Sequence, residues 1–231
     1  MRFLCKVFKE DLRFSHSTNL TVIVAGMHIA VLVYGRLNKC TEHYENIMEH
    51  IGKHHTIDFF MSSDNPSEEL LKGFLDVYRP VAYTHEAIKY DYDLGAYPGR
   101  RPETHIPNMT CHFLNKQRVL ALLEDYIEKA NVHYEAVISL RVDAVFHTRF
   151  EFTGMVDNTV YIPVGQDFWG GVNDQIAYGL LDTMKKYNAI DAKMLLDKQL
   201  TIPHAENICI ANIRFHKLQI QRIHLQYHLD R

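Results

Sequence analysis

The sequence predicts an α/β domain: a parallel sheet whose strands are joined by crossover helices. Three observations predict it. Short apolar runs rich in β-branched and aromatic residues recur at 28–34, 57–61, 80–84, 136–140 and 160–163. Stretches with helical spacing of apolar residues separate the first three, so the order is β-α-β-α-β, as parallel strands require. Hydrophobic residues are 47% of the 231, enough for a packed core and against disorder.

Residues 1–18 mix charge and aromatics without a period, and 20–34 is almost wholly apolar. A membrane span needs about 20 such residues. The preferred reading makes His28–Tyr34 a strand, stopped by Gly35-Arg36-Leu37, with 1–26 an N-terminal extension and 27–231 one domain. A signal anchor, led by Arg2, Lys6, Lys9 and Arg13, is the alternative. No stable membrane insertion and a cytoplasmic location are expected.

Tyr44, Ile47, Met48 and Ile51 recur at helix spacing across 41–52, with Thr41 able to cap. The strand at 57–61 closes on Ser62-Ser63-Asp64-Asn65-Pro66, and Ser67-Glu68-Glu69 opens a helix to 77. Residues 87–107 have no period but carry Tyr90, Tyr92, Tyr97, Arg100 and Arg101, so an ordered lid or substrate wall is expected. The longest helix covers 108–130, amphipathic through Phe113, Val119, Leu120, Leu123 and Ile127. A helix at 174–187, a short one at 192–200 and a last strand at 218–225 complete the chain.

Net charge is −3, which gives no general attraction to nucleic acid or anionic membrane. Cys5, Cys40, Cys111 and Cys209 form no C-x-x-C pair, so free thiols are expected rather than a zinc module or disulfide framework. The fifteen histidines are scattered, without H-E-x-x-H spacing. No G-x-G-x-x-G, P-loop, G-x-S-x-G or kinase signature occurs.

Four stretches carry chemistry. Arg141-Val142-Asp143 ends a buried strand, where ligands of open α/β sheets bind and where a carboxylate can hold a divalent ion on a diphosphate. A structural contact of Asp143 with Arg141 is the alternative. Phe168-Trp169-Gly170-Gly171-Val172-Asn173-Asp174 joins the one Trp, a flat face for a sugar, to glycines that admit close approach. Asp174 then opens a helix whose dipole favours the anion, or Asn173 or Asp174 merely caps it. Tyr34-Gly35-Arg36 at the first β-α turn can accept a nucleotide and set a guanidinium on phosphate. Pro203-His204-Ala205-Glu206 precedes a helix and either closes the cleft or caps.

In this order, Val33-Tyr34-Gly35-Arg36-Leu37, the 138–143 strand end, Tyr161-Ile162-Pro163 and the 170–179 stretch resemble small glycosyltransferases of GT-A fold from large algal viruses and bacterial polysaccharide clusters. The resemblance implies a GT-A-like, mixed but mainly parallel sheet flanked by helices. It implies transfer of a hexose from a nucleoside diphosphate sugar, a UDP-sugar favoured, to a glycan hydroxyl, inverting and assisted by Mn2+ or Mg2+. Tyr34, Gly35, Arg36, Ser62, Ser63, Arg141 and Asp143 would bind the donor, with Asp143 on the metal. Trp169, Gly170, Gly171, Asn173, His204 and Glu206 would bind the acceptor, and Asp174 would be the base. The family's metal-binding D-x-D reads Arg-Val-Asp here, the first acid being Arg141. A catalytically silent nucleotide- or glycan-binding module and a nucleotidyltransferase are the alternatives.

Overall fold

The computed structural model describes residues 26–89, 106–191 and 204–230. Among the described residues the elements are, in order, β1 (His28–Tyr34), α1 (Cys40–Ile51), β2 (Thr56–Ser62), α2 (Glu68–Tyr78), β3 (Ala82–Thr84), α3 (Ile106–Ala130), β4 (Ala136–Arg141), β5 (Ala144–Phe146), β6 (Thr159–Pro163), β7 (Ile176–Gly179), α4 (Leu181–Asn188), α5 (Ala205–Phe215), β8 (Gln219–Ile223) and β9 (Tyr227–Leu229). Seven strands form one sheet in the order β3-β2-β1-β4-β7-β6-β8, and β5 pairs with β9 beside it. The sheet is mixed and mainly parallel: only β7 runs against its neighbours β4 and β6.

Strand β1 lies in the interior of the sheet, between β2 and β4, and it is apolar on both faces. Ile29, Val31 and Val33 pack with Ile47 and Ile51 of α1 and Phe74 and Tyr78 of α2. Ala30, Leu32 and Tyr34 face the other way, onto Val119 and Leu123 of α3, Met184 and Tyr187 of α4 and Cys209 of α5. Strand periodicity therefore sends alternate residues into two cores, one on each side of the sheet. Ser67 caps α2, its hydroxyl accepting the Leu70 amide at 3.3 Å.

The expected strand at His28–Tyr34 is found at those bounds, buried in the sheet. Among the described residues no helix is long and apolar enough to cross a membrane. Cys40, Cys111 and Cys209 are free. The expected extension, most of the lid and the short helix at 192–200 lie outside the described residues.

One expected element is wrong. The helix placed at 174–187 is a strand, Ile176–Gly179, followed by a helix that begins only at Leu181. All four residues of β7 are buried between β4 and β6, so pairing with two neighbours overrides any local helical pattern. Strands β5 and β9 were not expected; each has three residues, too few to show a period.

Candidate functional site

Three parallel strands end together. Tyr34 at the end of β1 stands in register with Ser62 of β2 and Arg141 of β4. A cleft of about 460 Å³ opens there, lined among others by Tyr34, Gly35, Arg36, His112, Arg141 and Asp143. This is the carboxyl edge at which open α/β sheets bind ligands. Because β7 runs the other way, its start rather than its end lies at this edge. The Arg141 amide donates to the Gln175 carbonyl at 3.2 Å, which sets Asp174 and Gln175 beside the cleft.

Asp174 is thus a residue before a strand and has no helix dipole to stabilise it. Its partners come from α3 instead. His112 Nε2 lies 3.1 Å from Asp174 Oδ2. The contact is close but off the axis of an N–H···O bond, so its effect is mainly Coulombic. Lys116, fully buried, donates to the Asp174 carbonyl and to the Tyr187 hydroxyl, each at 3.3 Å, with its ammonium over the Tyr187 ring at 4.4 Å. The Tyr34 hydroxyl reaches the carbonyls of Asp174 and Gln175 at 3.1 and 3.0 Å. Burial by itself would raise the Asp174 pKa. The His112 charge beside it, then Lys116 and Arg141, outweigh burial and hold the carboxyl below its ordinary value. Burial pushes the His112 pKa down, and the Asp174 carboxylate beside it pulls the other way.

Arg141 and Asp143 form a fork: Nε to Oδ1 at 2.9 Å and Nη2 to Oδ2 at 2.6 Å. Both Asp143 oxygens are therefore engaged, and a guanidinium stands where a metal would sit. Among the described residues no three His, Cys, Asp or Glu groups are placed to hold a metal ion. Mn2+ and Mg2+ call for several oxygen ligands, and this donor set does not fit them. The remaining N–H groups of Arg141 and the guanidinium of Arg36, which donates to Asn108 Oδ1 at 3.3 Å, suit an anion instead.

The other expected donor residues divide. Gly35 and Arg36 line the cleft, but Ser62 and Ser63 are buried beneath it. Ser62 donates to Asn115 Oδ1 at 2.7 Å, and the Ser63 amide donates to the Thr84 carbonyl at 3.1 Å. Asp64, one residue further, lines the cleft in their place.

On the acceptor side, Phe168 and Trp169 are 48% and 43% exposed. Trp169 has φ 56° and Gly170 φ 77°, so the chain doubles back and presents both rings outward. Gly171 is required by contact: a Cβ there would lie 2.4 Å from the Glu206 carbonyl oxygen. The Val172 amide donates to that carbonyl at 3.2 Å, and Asn207 Nδ2 to the Trp169 carbonyl at 2.9 Å. The Trp-Gly-Gly stretch is thereby stitched to the start of α5. Asn173 does not face a ligand: it is buried, its amide Nδ2 donating to the Tyr227 hydroxyl at 2.7 Å.

His204 precedes α5 and Glu206 lies inside its first turn, correcting the expectation that both precede the helix. They pair through His204 Nδ1 and Glu206 Oε2. The Trp169 ring meets His204 edge-on at 6.3 Å. Burial raises the Glu206 pKa, and the negative charge of Asp174 raises it further.

Sequence reasoning missed Asn108, His112, Asn115 and Lys116. Their signal was available as a polar face of α3 at spacings of four, three and one, on the helix read only for its apolar stripe. Compared with known protein families and with curated proteins, the chain matches none.

Proposed function

We propose that the protein transfers a hexose from a nucleoside diphosphate sugar, a UDP-sugar by preference, to a glycan hydroxyl with inversion. The observation that carries this reading is a division of the site. A cleft with the guanidinium groups of Arg36 and Arg141, beside Asp64, Asp143 and Asp230, lies at the carboxyl edge of the sheet. An exposed aromatic platform, Trp169, lies on the stretch that leads through Asp174 into β7. The mixed, mainly parallel sheet, with one antiparallel strand set in it, agrees with it.

In this reading the diphosphate rests on guanidinium groups, and Mn2+ or Mg2+ would reach Asp143 only after Arg141 turned away. The acceptor sugar stacks on Trp169. Inversion needs one base on the acceptor side and no covalent intermediate; Asp174 is the carboxylate the resemblance implies for it. A panel of nucleoside diphosphate sugars, with and without Mn2+, tests the reading by melting temperature. A ligand at ~100 times its Kd adds roughly 2.7 kcal/mol of stability. If no sugar nucleotide raises Tm, the reading is lost.

The Arg141–Asp143 fork, in place of two acids, favours a second reading: a binding module without catalysis. A Tm shift with no sugar transfer to any glycan would select it.

A further inference from the structure

We propose that His204, oriented by Glu206, is the group that takes the proton from the acceptor hydroxyl. The inference rests on the glycosyl-transfer reading and deepens it. Three placements support it. First, Asp174 is 5% exposed, and it is His112, 3.1 Å from it, that lines the cleft. A carboxylate held as an anion there is a weak proton acceptor. Second, His204 is partly exposed and its ring meets that of Trp169, where the acceptor sugar stacks. Third, Glu206 is buried and holds His204 at Nδ1. A carboxylate behind one ring nitrogen fixes the tautomer: Nδ1–H donates to Glu206, and the basic lone pair is on Nε2.

The platform and the base are joined by direct contacts. The Asn207 bond to the Trp169 carbonyl, the Val172 bond to the Glu206 carbonyl and the close approach at Gly171 hold the stretch against α5. A hydroxyl of a sugar lying on Trp169 would meet an imidazole whose position is already set.

The step balances without another reagent. The acceptor oxygen bonds to the anomeric carbon as the carbon–oxygen bond to the diphosphate breaks, and that electron pair leaves with the diphosphate. The hydroxyl proton passes to His204 Nε2. The imidazolium is stabilised by Glu206 and then gives the proton to solvent. Glu206 is a positioning residue and His204 the catalytic one.

The experiment measures transfer and donor binding in parent, His204→Ala, His204→Gln and Glu206→Gln. Both His204 variants are expected to lose at least about a hundredfold in kcat while the donor still raises Tm as in the parent. Added imidazole should restore part of the rate to His204→Ala, which a structural role would not predict. Glu206→Gln should lose about tenfold in kcat with acceptor KM unchanged. Parental kcat in both His204 variants, or a defect confined to donor binding, overturns the assignment. If the parent transfers no sugar from any donor, the glycosyl-transfer reading falls and this one with it. Transfer at equal rates by parent and His204→Ala defeats this one alone.

Discussion

Asp174 with His112 and Glu206 with His204 are the same chemical pair in two settings. Each carboxylate is buried and each meets one imidazole. Burial raises both pKa values, yet the outcomes have opposite sign. What differs is the next neighbour. Asp174 is held down first by His112 itself and then by the cations of Lys116 and Arg141. Glu206 has Asp174 itself, an anion, and is pushed toward sharing a proton. The same kind of partner thus leaves opposite outcomes, because the charges beyond it add to its pull at Asp174 and oppose it at Glu206. One pair serves as a fixed anion, the other is poised for proton transfer.

The strongest way to break this contrast is Asp174→Asn. Removing one member of a buried charge cluster should cost about 3–5 kcal/mol at neutral pH. The sign follows from the lowered pKa: the stability is present above the unfolded value, about 3.9, and is lost as pH falls through the folded value. Denaturation from neutral to acid pH should therefore show the gap between variant and parent closing in acid. An unchanged gap would show that Asp174 is not held as an anion.

Gly171→Ala comes next. Its methyl group would collide with the Glu206 backbone, so α5 must shift, at about 1–3 kcal/mol. Urea unfolding measures it, and a parental midpoint would mean that the Trp-Gly-Gly stretch and α5 are not locked together.

Arg141→Lys removes the fork and leaves a point charge. About tenfold weaker nucleotide-sugar binding is expected by calorimetry, equally with and without Mn2+. Affinity that depends on Mn2+ in the parent would return Asp143 to a metal.

Glu206→Gln should move stability the other way from Asp174→Asn. The raised pKa means that the contribution of Glu206 is present below the unfolded value, about 4.3, and lost as pH rises through the folded value. The variant avoids that loss and should match or slightly exceed the parent at neutral pH in thermal melts. A melting point well below the parent's would show Glu206 to be a stabilised anion like Asp174. The smallest stability change is expected for Trp169→Ala, within about 0.5 kcal/mol for so exposed a ring. Its effect should fall on acceptor KM, and an unchanged KM would remove the stacking platform.

The sequence by itself determined the β-α-β-α-β order, the span of β1, the helix start at Ser67 and the edge at which the site opens. These rest on local periodicity and capping, which neighbouring residues express without outside help. Tertiary structure decided what Asp174 is. The four buried residues of β7, two places further on, read as helix in the sequence, and β4 and β6 supply the hydrogen-bonding partners that make them a strand. It also decided the charge state of the site. His112 and Lys116 stand 62 and 58 residues from Asp174 in the chain, and only the packing of α3 across the sheet brings their charges to it. Coulomb interactions follow distance in space, and a linear pattern carries none of that distance.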